Sequence, residues 1–100
     1  PRVRQEGARV EVRATGARSS TVRSVAERLG ARSFTVARVT EGATARSAVI
    51  LRNPAKRYTA DALARQLGIG VVEDPAESAD ADLVVRLGGD FRGLASDSGR

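Results

Sequence analysis

The chain has no cysteine and no histidine, and neither tryptophan nor methionine occurs among its 100 residues. Without cysteine there are no disulfides and no thiolate metal sites, which says little about compartment because exported domains can fold without disulfides. Without histidine the chain lacks the usual general base near neutral pH, the commonest metal ligand, and any Ser-His or Cys-His pair for nucleophilic catalysis. A lysine base is limited to Lys56, the single lysine, at an exposed helix start. Phe34, Tyr58 and Phe91 are the only aromatic residues, too few for the stacking platform of a single-stranded nucleic-acid binder. No apolar run approaches the roughly eighteen residues of a membrane span, and no signal-peptide pattern opens the chain. It begins at Pro1, as an excised or processed segment would.

One domain is expected at this length, large enough to bury about two thirds of its surface and to fold alone. The net charge is +5, yet residues 1–58 carry +9 and residues 59–100 carry −4. Such a split marks either a polyanion-binding face or two complementary faces of one dipolar surface. Sixteen of the seventeen basic residues are arginine. Alongside abundant Ala and Val this fits the codon bias of a high-GC genome, so arginine content alone is weak evidence for binding.

The chain is organised around Arg9 to Gly30, which reads as strand, turn and helix. Val10 and Val12 alternate with Arg9, Glu11 and Arg13, so the valines face a core and the charged residues face out. After a turn at Gly16, Val22, Val25, Ala26 and Leu29 recur at helical spacing, with Ser19 or Ser20 as N-cap and Gly30 as C-cap. Phe34 to Val39 reads as a second strand, with a turn at Gly42. The run Ala48 to Leu51 is apolar throughout, which predicts a central strand buried on both faces. Asn53-Pro54 opens a second helix with Ala60, Leu63, Ala64 and Leu67 inward and Arg57, Asp61 and Arg65 outward, closed by Gly68. Val71-Val72 and Leu83 to Leu87 supply two more strands around an acidic segment, Glu73 to Asp82. The order β-α-β-β-α-β-β predicts an α+β (α/β two-layer) sandwich: a mixed sheet of four to five strands with both helices on one face. Residues 1–8 read as a poorly ordered linker end, 9–91 as the domain and 92–100 as a flexible tail.

The turn between the first strand and helix is the best candidate site. It brings Arg13, Thr15, Gly16, Arg18, Ser19 and Ser20 to a helix N-terminus, where backbone amides and the helix dipole favour an anion. Gly and Ser at such a turn also serve conformation alone. No metal site is expected: Glu73, Asp74, Glu77, Asp80, Asp82 and Asp90 fit no calcium-loop spacing and read as a solvated acidic loop. Gly68-Ile69-Gly70 follows a helix and lacks the third glycine of a dinucleotide fingerprint, so no cofactor is expected either.

Taken in order, Arg9 to Phe91 resembles the LytR C-terminal domain family. The resemblance rests on Val10-Glu11-Val12 before a turn and helix, Val25-Ala26-Glu27-Arg28-Leu29, Phe34-Thr35-Val36, Ala48 to Leu51 with Asn53-Pro54, Ala62-Leu63-Ala64, Leu67-Gly68, and Ala81-Asp82-Leu83-Val84-Val85 leading to Leu87-Gly88 and Asp90-Phe91. The family usually writes its first turn L-N-G-T-G, where this chain has Arg13-Ala14-Thr15-Gly16-Ala17. Ser20-Thr21-Val22 replaces its usual Gly-Leu-Ala. The resemblance implies a non-catalytic, extracytoplasmic envelope module of actinobacteria and other Gram-positive bacteria. In that family it follows a LytR-CpsA-Psr phosphotransferase domain or stands behind a membrane anchor. It further implies binding to peptidoglycan or an associated anionic wall polymer; the alternative is docking another envelope protein. Charge alone would suggest nucleic acid, but there is no recognition-helix motif, and no such partner is expected.

Overall fold

A computed structural model describes residues 6–32, 34–77 and 81–91. The chain runs β1 (Arg9–Thr15), α1 (Ser19–Ala31), β2 (Thr35–Glu41), β3 (Ala48–Leu51), a 3-10 turn (Pro54–Lys56), α2 (Arg57–Leu67), β4 (Val71–Glu73) and β5 (Leu83–Gly88). The strands form one mixed sheet in the order β2-β1-β5-β3-β4. β5 inserts between β1, to which it is parallel, and β3, to which it is antiparallel. This is the mixed α+β sandwich its pattern predicts.

The pairing register aligns the apolar side chains in rows. Val12, Val85, Val49 and Val71 stand in one row across four strands, and Val10, Leu83 and Leu51 in the next. Both helices cover this face, α1 with Val22, Val25 and Leu29 and α2 with Ala60, Leu63 and Leu67, to make one core. Leu29, Leu63, Leu83 and Leu87 are fully buried there. Truncating any one of these leucines to alanine forfeits about 2–5 kcal/mol. All four residues of β3 are buried, because Ala48 and Ile50 pack with Val84 on the sheet's other face.

Several local expectations are corrected. Gly30 does not cap α1: the helix continues to Ala31 and ends at Arg32, whose amide bonds back to the carbonyls of Arg28 and Leu29. The N-cap is Arg18 rather than a serine, and Ser19 is already helical. Gly68 does cap α2, at φ +69°, and the Asn53 side chain accepts from the Ala55 amide as a helix-start residue should. Glu11, expected to face solvent, is buried at 3% exposure. Alternation assigns a side chain to a face but does not tell whether another segment lies over that face. Here the segment after β4 reaches back to β1 through Glu77.

The fold also starts before the first strand. Ala8 is buried, and Glu6 accepts from both the amide and the hydroxyl of Thr59, anchoring the entering chain to α2. Burial opposes ionisation of Glu6, but the Thr59 and Tyr58 contacts and the Lys56 charge outweigh it and lower its pKa. Residues 1–5, Asp80 and the expected tail at 92–100 lie outside the described residues.

Candidate functional site

The turn from β1 into α1 is clamped onto the β2–β3 connection and the end of β5. The Thr15 hydroxyl donates to the Ala45 carbonyl at 3.0 Å, and the Ala45 amide donates to the Thr15 carbonyl at the same distance. The Ala17 amide reaches the Leu87 carbonyl. Gly16 sits at φ +140°, and a Cβ there would stand 2.8 Å from the Gly89 amide nitrogen, so both conformation and space demand glycine. Thr15 and Gly16 therefore serve the turn's own geometry.

Arg13 is likewise committed inside the fold. By register it belongs to the face without helices, alongside Arg86 and Ala48. Its guanidinium donates to Glu11 Oε2 through Nε at 3.0 Å and Nη2 at 2.8 Å, and to Glu77 Oε2 through Nη1 at 2.9 Å. The Thr40 hydroxyl donates to the same Glu11 oxygen at 2.7 Å. Burial disfavours the Glu11 carboxylate, yet the Thr40 and Arg13 hydrogen bonds, with the charges of Arg13 and Arg38, hold its pKa below the ordinary value.

The candidate residues thus divide. Arg18, Ser19 and Ser20 are brought together in solvent at the start of α1, which has neither a side-chain cap nor an acid in its first turn. Arg13, Thr15 and Gly16 hold the scaffold beneath them.

The acidic half of the chain staples the basic half. Glu73 pairs with Arg57, Glu77 with Arg13, and Asp90 takes both the amide and the hydroxyl of Ser47. Asp82 accepts from the Arg9 amide at 3.0 Å and from the Asn53 amide group at 3.2 Å. Burial works against its ionisation, but those two donors and the charges of Lys56 and Arg9 lower its pKa. Among the described residues no three Asp, Glu, His or Cys side chains converge to hold a metal.

A groove that the sequence reading missed lies between α1 and β2, with a volume of about 590 Å³. Ala14, Val22, Ala26 and Val39 give it an apolar lining, and Val39 is 52% exposed. Ser19, Arg23, Glu27 and Glu41 add polar groups, so the groove adjoins the α1 N-terminus. A signal was present: Val36 and Val39 stand three apart, a spacing that shares one strand face only across a bulge. The register of β2 against β1 does skip Ala37.

The sequence pattern of the family described as "LytR cell envelope-related transcriptional attenuator" matches residues 7–91. The chain is also similar to the solution structure of the C-terminal domain of RV0431. The two are 28% identical, with a TM-score of 0.58 over 82% of this chain and 72% of that one. No curated protein sequence matches it.

Proposed function

The chain belongs to the LytR C-terminal domain family, a family of cell-envelope accessory modules, and on that premise we propose that it is a non-catalytic, extracytoplasmic domain binding peptidoglycan or an associated anionic wall polymer. No helix among the described residues is long and apolar enough to cross a membrane. The observation that carries the reading is the open start of α1. Its first amides lack a side-chain cap, its first turn lacks an acid, and Arg18, Ser19 and Ser20 stand exposed around it. Free amides and the positive end of a helix dipole attract a carboxylate or phosphate, and an arginine beside them can bind it bidentately.

The test is sedimentation with isolated sacculi stripped of protein. The wild-type chain co-sediments, and Arg18→Glu reduces the bound fraction while leaving the fold intact, since Arg18 is exposed. A wild-type chain that stays in the supernatant refutes the reading. The outer edge of β2, which no other strand pairs among the described residues, favours a second reading in which the domain docks an envelope protein by strand addition. That reading predicts binding to a purified envelope protein, with stripped sacculi left unbound.

A further inference from the structure

The groove between α1 and β2 carries charges that the rest of the fold leaves unused. Among the described residues every carboxylate but two accepts a hydrogen bond or ion pair, from Glu6 on Thr59 and Asp61 on Arg57 to Asp74 on the Ala76 amide. The two exceptions are Glu27 and Glu41, and both line this groove. In a chain with seventeen basic side chains, two acids that line one groove and pair with no cation among the described residues are a specific feature of this face. Arg23, on the same helix as Glu27, is also exposed and unpaired among the described residues.

Resting on the envelope-polymer reading above, we infer that this groove holds the peptide part of the wall polymer: a short segment with small apolar side chains, a free ammonium and a carboxylate. Glu27 and Glu41 take the ammonium by charge-assisted hydrogen bonds and Arg23 takes the carboxylate. Ala14, Ala26 and Val39 offer methyl groups, against which small side chains such as alanine fit. A volume of about 590 Å³ lies within the range that encloses a small ligand. Among the described residues β2 is an edge strand, a position where a peptide backbone can lie alongside.

Two other occupants fit the same walls poorly. A glycan would look for an aromatic face on which to stack a sugar ring, and none of Phe34, Tyr58 and Phe91 lines the groove. A polyphosphate would meet the two unpaired carboxylates and be repelled.

The experiment titrates the labelled chain by NMR with a synthetic tetrapeptide of alanine, γ-linked glutamate, a diamino acid and alanine, its first amine capped by a lactyl group so that the side-chain amine is its one ammonium. The same peptide acetylated on its side-chain amine and a peptide-free oligosaccharide are titrated in parallel. The free peptide shifts Val22, Ala26 and Val39. Acetylation, or the double substitution Glu27→Gln and Glu41→Gln, weakens it about tenfold or more, as expected for losing a charge-assisted contact. Both glutamates are exposed, so an unchanged thermal midpoint confirms that the double variant is folded. Equal binding of the acetylated peptide overturns the inference, as do shifts at the groove that follow protein concentration without ligand and so assign it to a second copy. If the peptide leaves the groove unmoved while sacculi still retain the chain, this inference fails alone. If sacculi do not retain it, the proposed function has failed beneath it.

Discussion

Replacing Glu11 by glutamine keeps the shape of a buried side chain and removes its charge. Glu11 Oε2 receives three donors, two from the Arg13 guanidinium at 2.8 and 3.0 Å and one from Thr40 at 2.7 Å. Glutamine turns the Arg13 ion pair into a bond to a neutral oxygen and the Thr40 bond into a neutral one, and at about 1 kcal/mol for each loss of charge the variant forfeits about 2 kcal/mol. In a domain of this size that lowers the melting midpoint by about 8–16 °C. The pH dependence identifies the cause. The folded pKa of Glu11 is lowered, so its stabilisation is fully present above the unfolded value of about 4.3 and is lost as pH falls through the folded value. The gap between wild type and Glu11→Gln is therefore widest near neutrality and closes in acid. Urea melts followed by far-UV circular dichroism at a series of pH values measure it, the chain having no tryptophan to report by fluorescence. A gap below about 0.5 kcal/mol at neutral pH, or one of constant size down to acid, refutes the charge-assisted account.

Gly30 lies inside α1 without a positive φ, and a Cβ added there would meet nothing within 4 Å. Gly30→Ala therefore stabilises the chain by about 0.4–1 kcal/mol, and a lower urea midpoint would contradict this placement. At Gly88 the same change has the opposite sign, because a Cβ would stand 2.1 Å from the Ala45 carbonyl oxygen and 2.9 Å from Asp90 Oδ1. Gly88→Ala costs at least about 2 kcal/mol by forcing β5 away from that carbonyl, and a thermal melt matching wild type would refute the close approach.

The order of elements was legible because each carries its own local signal. The valines at 10 and 12, the helical spacing from Val22 to Leu29, and Gly68 as a left-handed cap all follow from neighbours a few residues apart. Gly30 misled the same reading because glycine permits a helix end without requiring one, and Leu29 with its contacts holds the last turn helical. Glu11 misled it because a charged residue opposite a buried valine normally meets water. Its burial depends on Arg13, Thr40 and a segment more than sixty residues later, through the Glu77 contact with Arg13.

Of the candidate site, Arg18, Ser19 and Ser20 could be read from a turn before an amphipathic helix, whereas the groove could not. Its existence depends on β2 being an edge strand, and that in turn depends on β5 pairing with β1 and β3 in the middle of the sheet. The elements, their buried stripes and the family follow from the amino-acid order alone, since periodicity and turn chemistry are local. Which carboxylates found cations, and which strands lie at the sheet's edges among the described residues, depended on the folded sheet, because those outcomes belong to pairings between distant parts of the chain.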